Sequence, residues 1–496
     1  MKRAEKVSPD RKSLAYRVRE GVNIHWRDDG LVLILHSPLK AVVLNRSWAP
    51  VFGRLSTRNF ISFEWITFSI GQADPVKMEL FLNQLVRKGF LEQEGLSDLL
   101  HYLSVSIIVP VKNRSQEIAS CLQSLAHLDY PSEKVEIIVV DDASDDHTPE
   151  VVGQFPVRLI ALAQPKQASF CRNLAAQDAS GEILAFIDSD CLADPCWLRE
   201  LIPAFKDVEM GAVGGMVDAY YEAKGLDRYE KVKSSLKIGS WFRSTHEADS
   251  FFYVPSCNLL VRRDLFLKVG GFDKDLHVGE DVDLCWRLRD EGYHIEYRPL
   301  GKVYHRHRNQ IKSFCSRRFD YGTSEPLLQH LHGNRIKKLI FPGAEALFWC
   351  AIALSILLNS LPFLAFAGIV VLSEVMRKFV RTRQRKLPVA PFYLFPAVLR
   401  GHFAFFYHCC AFFSRYYLIG SLLFFPFLPW VSALAIGMHV LTGLVEFFIK
   451  KPRLSIPSFL FYFSLEQLSY QLGVWWGCFK RNYFGPVNPQ IVTKMR

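Results

Sequence analysis

A chain of 496 residues is too long for one ordinary domain, so two or three units are expected. Half of the residues are hydrophobic and 39 are Phe, many of them in the last third, so that third does not read as soluble protein. The net charge of +11 favours anionic partners, but no basic helix is interleaved with base-stacking aromatics, which excludes nucleic acid and leaves phosphates and a membrane surface.

The eleven Cys stand singly or as the neighbours Cys409 and Cys410, a usage that suits a reducing compartment. The start, MKRAEKVSPDRK, leads into no apolar stretch of signal-peptide type, so the N-terminal domains are expected to face the cytoplasm. Residues 13–98 read as a small α+β unit. Strands are expected at 22–26, 31–35 and 40–44, a helical pattern from Asn45, and a helix over 75–88. Nothing in it suggests chemistry, so an adaptor or partner-binding role is expected.

Residues 104–335 alternate strand and helix signals. Buried strands are expected at 105–109, 135–140 and 183–187, and Ile118, Cys121, Leu122 and Leu125 form a helix face. This pattern predicts a doubly wound α/β sheet, whose ligands sit at the carboxyl ends of the strands. The last stretch, 336–496, carries apolar runs at 339–375 and 416–445, each followed by a basic run. It is expected to be a helical, membrane-associated region with its basic flanks cytoplasmic. The stretches 400–415 and 460–479 are expected at the membrane interface.

The chemistry-bearing residues lie at the predicted strand ends. Asp188-Ser189-Asp190 follows the strand 183–187, where two carboxylates can hold a hard divalent cation. The triplet alone is equally a turn with an Asp cap. Asp141-Asp142 ends the strand 135–140, and its carboxylates can accept from a uracil N–H or a ribose hydroxyl, or cap a helix. Glu280 and Asp281 open an amphipathic helix; either can be a general base, although acidic residues also suit a helix start. His305 follows a short strand and is a candidate third metal ligand, with Arg306 or Arg308 on phosphate. Arg172 is a further phosphate candidate. Arg317 and Arg318, near Tyr321 and Gly322, are placed to close over a bound donor.

Taken together, Ser106–Asn113 with Pro110 at its centre, 140–144, Cys171-Arg172-Asn173, Asp188–Asp190, Gly270-Gly271-Phe272-Asp273 and 279–287 resemble family-2 inverting glycosyltransferases of the GT-A (Rossmann-like) fold. The resemblance covers about residues 104–325. It implies a UDP-sugar donor, UDP-glucose above all, with Mg2+ or Mn2+. It places Pro110 and Asp142 in the nucleoside pocket, Asp190 on the metal with Asp188, and Asp281 as the base. Where processive synthases of that family carry Gln-x-x-Arg-Trp, this chain has Cys315-Ser316-Arg317-Arg318-Phe319, which speaks against long-polymer synthesis. Residues 13–98 resemble a PqqD-like peptide-recognition domain through Val42-Val43-Leu44-Asn45 and 86–91. The stretch 465–474 looks like the tail of mycofactocin-system glycosyltransferases, which implies a peptide-derived redox cofactor as acceptor. The alternatives are a lipid-linked or cell-wall glycan acceptor, or a non-catalytic peptide-binding scaffold. The expected location is the bacterial inner (cell) membrane, with membrane lipid as a partner and the catalytic domain on the cytoplasmic side.

Overall fold

The computed structural model describes residues 13–71, 74–95, 102–245 and 251–493. They fall into two compact units, one comprising 101–339 with 408–490, the other 1–100 with 340–407 and 491–496. The segment 336–496 is therefore shared between them.

The first of these units is built on an eight-stranded mixed sheet. Val105–Val111 bonds in parallel to Val135–Asp141 on one side and to Ile183–Phe186 on the other. Arg158–Ala161 continues the parallel run to one edge. Beyond Ile183–Phe186 the direction reverses at Leu259–Arg262, and Met210–Gly214, His294–Tyr297 and Arg243–Ser244 follow. The sheet is thus not parallel throughout, because Leu259–Arg262 enters its middle antiparallel.

Helices cover both faces, so every residue of Val105–Val111 is buried. Ile107, Val109 and Val111 pack under Ile118, Cys121 and Leu125 of the helix Ser115–Leu125. On the opposite face Ile108, Ile138 and Val140 pack with Ala175 of Gln167–Asp178 and Leu284 and Leu288 of Glu280–Asp290. This is the period-two alternation of a pleated strand. Parallel strands leave the sheet at one edge, so the segments after Val111, Asp141 and Phe186 emerge together there.

A second, three-stranded sheet pairs Cys191–Ala193 antiparallel with Val303–His305, which runs parallel to Val217–Ala219. Its register sets Cys191 opposite His305. Two long helices, Ile311–Leu331 and Ile456–Arg481, also belong to this unit. They cross where a Cβ on Gly322 would stand 2.2 Å from the Tyr470 carbonyl oxygen, and one on Gly473 2.1 Å from that of Phe319. Only glycine allows such a close backbone approach. Gly473→Val should therefore wedge the helices apart and cost about 1–3 kcal/mol. A lower urea midpoint is the expected result, and an unchanged one would show that the crossing yields.

The stretch 460–479 lies within Ile456–Arg481, which buries Phe463, Glu466, Gln467 and Gln471 in its own unit. The apolar run from 416 breaks into the short helix Leu418–Leu422 and the helix Pro429–Lys450. Among the described residues, Pro429–Lys450, with 22 residues, is the one helix long and apolar enough to cross a membrane.

In the other unit, Val22–Arg27, Gly30–His36 and Leu39–Asn45 form an antiparallel meander, close to the expected strands. Ala15–Val18 lies between Ile61–Ser62 and Leu91–Glu94. The expected helices are Ala49–Arg54 and Pro75–Arg87, and a further helix, Phe63–Ile70, is capped by Ser62. Val32 and Ile34 of the meander pack against Val389 and Leu394.

Candidate active site

A cavity of about 930 Å³ opens at the edge of the sheet where the parallel strands end. Pro110, Asp142, Arg172, Asp188, Asp190, Glu280, Asp281, His305 and Arg308 line it. The acidic motifs of three separate segments therefore meet around one space. Arg306 is not among the lining residues. Its guanidinium lies over the Tyr220 ring at 5.0 Å, and its N–H donates to the Asp190 carbonyl at 3.1 Å. Successive residues of an extended chain point to opposite sides, so His305 faces the cavity and Arg306 does not.

The loops at the strand ends are held in costly shapes. Asn113, Ala143 and Gln167 have φ of 52°, 54° and 74°, left-handed values that non-glycine residues rarely adopt. Hydrogen bonds fix them: Asn113 N–H donates to Ser144 Oγ at 2.9 Å, and Asp145 N–H to Asn113 Oδ1 at 2.9 Å. Asp142 accepts from the N–H groups of Lys166 at 2.5 Å and Gln167 at 3.1 Å, one on each carboxylate oxygen. It thus ties the second strand end to the start of Gln167–Asp178. A carboxylate has about four acceptor positions, so both oxygens keep capacity for a ligand.

Arg172 projects from that helix and is buried. One of its nitrogens donates to Asp188 Oδ1 at 2.6 Å and another to Glu280 Oε1 at 3.1 Å. Burial opposes the charge, but Asp188 and Glu280 raise the Arg172 pKa above its ordinary value. In the sequence Arg172 reads as a phosphate ligand. In the structure it is also a strut joining the sheet edge to the helix Glu280–Asp290, and it engages Asp188 directly.

Asp190 sits against other partners. Its Oδ2 accepts from Arg114 at 2.6 Å, while Oδ1 lies 3.6 Å from His305 Nε2. Burial would raise its pKa, but His305 and Arg114 hold the carboxyl below its ordinary value. One donor atom each from Asp190, His305 and Cys191 lies within 4.8 Å of the others. That donor set fits a divalent cation. His307 is pushed down to about 3 by burial, His305 and Arg318, so its imidazole is neutral.

Asp281 has the opposite environment. Burial, then the neighbouring Glu280 charge, push its carboxyl up to about 7. It accepts from Ser256 N–H at 3.2 Å and Val282 N–H at 2.8 Å, which hold it at the start of its helix on the cavity wall. Two carboxylates in one cavity, one held ionised and one poised near neutrality, are suited to different tasks.

The sequence offers no sign of several lining residues. Arg114 follows the first strand, but only the fold reveals its pairing with Asp190. Tyr253, Arg415, Glu466 and Tyr470 also line the cavity, the last three from segments far along the chain. Arg318 is bound up with Glu230 at 2.8 Å and Glu466 at 3.8 Å, whereas Arg317 lies by Tyr321, 5.2 Å from its ring.

Residues 106–270 match the profile of Glycosyl transferase family 2. The chain is 26% identical over 400 residues to the Pre-mycofactocin glycosyltransferase of Mycobacterium tuberculosis, covering 78% of this chain and 82% of that protein. It is 32% identical over 216 residues to Glycosyltransferase AglE of Haloferax volcanii, covering 40% of this chain and 69% of that one. Among solved structures, a mannosyltransferase from Pyrobaculum calidifontis in complex with GDP-Man and Mn2+ aligns with 60% of this chain and 87% of its own, at 19% identity and a TM-score of 0.39.

Proposed function

We propose that this chain, which belongs to glycosyl transferase family 2, moves glucose from UDP-glucose to an acceptor hydroxyl with inversion, and that the acceptor is a peptide-derived redox cofactor of the mycofactocin type. The observation that carries the chemistry is the gathering of Asp142, Asp190 and Asp281 around one cavity, with Asp281 at about 7 and Asp190 held low. The relative from Mycobacterium tuberculosis supports the acceptor class.

In this reading Pro110 and Asp142 hold the nucleoside. Asp190 and His305 hold Mg2+ or Mn2+, which when bound neutralises diphosphate charge. Arg308 and Arg317 face the same space and offset the charge that develops on the leaving group. The acceptor O–H proton passes to the Asp281 carboxylate as its oxygen attacks the anomeric carbon. The bond from that carbon to the diphosphate oxygen breaks, and UDP leaves with the electron pair. Glu280 and Arg172 orient the base and set its basicity.

The chain is further read as attached to the bacterial cell membrane, catalytic unit on the cytoplasmic side. The helix Pro429–Lys450 is long enough to cross, and Lys450, Lys451 and Arg453 follow it. That helix also favours a second reading, in which the acceptor is a lipid-linked or cell-wall glycan. Incubating the protein with radiolabelled UDP-glucose and either a peptide-derived cofactor or a lipid extract separates the two. Label in the cofactor is expected; label confined to the lipid extract overturns the acceptor assignment, and label in neither overturns the pairing of UDP-glucose with these acceptors, the transferase reading falling only if no UDP-sugar is hydrolysed or transferred.

A further inference from the structure

The helix Pro429–Lys450 is long and apolar enough to cross a membrane, yet its packing runs against a crossing. Its buried residues, Ser432, Ala435, His439, Thr442 and Gly443, lie on one face. That face runs antiparallel along Ile456–Arg481. Phe447 meets Phe459 with ring centroids 5.5 Å apart, a Cβ on Gly443 would stand 2.5 Å from the Leu460 side chain, and His439 Nε2 lies 2.9 Å from Ser464 Oγ. Ile456–Arg481 in turn lies lengthwise on the rest of the catalytic unit. Phe459 packs 5.3 Å from the Tyr229 ring, the Tyr470 hydroxyl donates to Glu325 at 2.6 Å, and Gly477 abuts Thr323. Glu466 and Tyr470 of the same helix line the catalytic cavity. A bilayer normal along Pro429–Lys450 would therefore sink a cavity that must admit a charged nucleotide to hydrocarbon depth, where ionised groups are costly.

The cations point the same way. Lys450, Lys451 and Arg453 stand at one end of the helix. Lys480 and Arg481 end its antiparallel neighbour, so they stand toward the other. Basic flanks mark the cytoplasmic side, and here both ends carry them. The face turned away from the catalytic unit is apolar. Leu434, Leu441 and Phe448 are exposed along it, and at the start of the helix Phe427 and Trp430 are 81% and 66% exposed.

We infer that Pro429–Lys450 does not cross the bilayer but lies in its cytoplasmic surface, with Leu434, Leu441 and Phe448 at the acyl boundary and the cations at its two ends on anionic headgroups. A helix with one free apolar face and basic flanks sits this way, its apolar side about 5–10 Å deep. Trp430 at the helix start suits the same level, where Trp is enriched. The inference rests on the membrane-attached reading and concerns how this helix is attached; the catalytic cavity stays on the aqueous side of the leaflet.

Nitroxide depth tests it. The full chain carrying Leu434→Cys, Leu441→Cys or Phe448→Cys is spin-labelled in bilayers of phosphatidylethanolamine and phosphatidylglycerol. The signal of the unaltered protein is subtracted, because its own cysteines include the exposed Cys350. Collision with oxygen, which concentrates in lipid, is compared with collision with a water-soluble nickel chelate. Neighbouring labels stand roughly 10 Å apart along the helix, so a crossing helix must set Leu441 about that much deeper than at least one of the others. Three equal depths of about 5–10 Å are expected. A deeper Leu441, or a steady change of depth from 434 to 448, overturns the in-plane placement and leaves membrane attachment standing. Labels open to nickel at all three positions, or shielded from both agents as by a second copy of the chain, overturn the placement together with the contact of this helix with lipid.

Discussion

Replacing Asp281 by Asn is expected to lower the rate of sugar transfer by about 10²–10⁴-fold, the usual contribution of a general base, while leaving Mn2+-dependent UDP binding unchanged. Asn has the same shape and can keep one of the two N–H contacts, from Ser256 or Val282, but it cannot take up the acceptor proton. Single-turnover transfer measured beside calorimetry of UDP separates the two effects. Retained turnover would remove Asp281 from the reaction.

The pH profile carries the same assignment. Only the ionised carboxylate is a base, so a group at about 7 gives a kcat/KM that falls tenfold per unit below about pH 7 and levels above it. An ordinary carboxyl near 4 would place that limb about three units lower. Glu280 is the like charge that helps hold Asp281 up. Glu280→Gln should therefore move the acid limb to lower pH, and a limb that stays in place would dissociate Glu280 from the basicity of its neighbour.

The second large effect is expected at Asp190. Asp190→Ala should weaken UDP binding in the presence of Mn2+ by at least the roughly 10–100-fold that outer partners of a metal cost. The sign should reverse without metal. In a chelator the substitution removes a negative charge from the path of an anionic diphosphate and frees Arg114, which now pairs with Asp190 Oδ2. UDP should then bind the variant at least as well as the parent. Calorimetry in the two conditions gives both signs, and equal affinity of variant and parent with Mn2+ would reject Asp190 as a ligand.

Much of this site can be read in the sequence because its residues follow continuous buried runs. Ile183–Phe186 and Val135–Asp141 are short, β-branched or apolar runs bounded by polar residues, which by length read as buried strands, so the carboxylates just after them are expected at a sheet edge. Asp281 declares itself by opening an amphipathic helix. What escapes is whatever depends on direction or distance. Leu259–Arg262 has only four residues, and an apolar run does not say which way a strand points, so the mixed sheet is invisible until the fold is known. Arg114 and Asp190 are 76 positions apart, and their pairing follows from two parallel strands ending side by side. Arg415, Glu466 and Tyr470 come from segments whose apolar character suggests lipid contact, yet the crossing at Gly322 and Gly473 brings Ile456–Arg481 against the catalytic cavity. Arg306 shows the converse. Its place beside His305 marks it as a phosphate ligand, but a one-residue step along an extended strand turns it onto Tyr220.

The stereochemistry of one turnover tests the account most directly. If Asp281 is the one base and no sugar is ever bound to the protein, a donor with an α-linked glucose must give a β-linked product, resolved by the proton coupling at the anomeric carbon. A product that keeps the α configuration would contradict single displacement and with it the role given to the cavity.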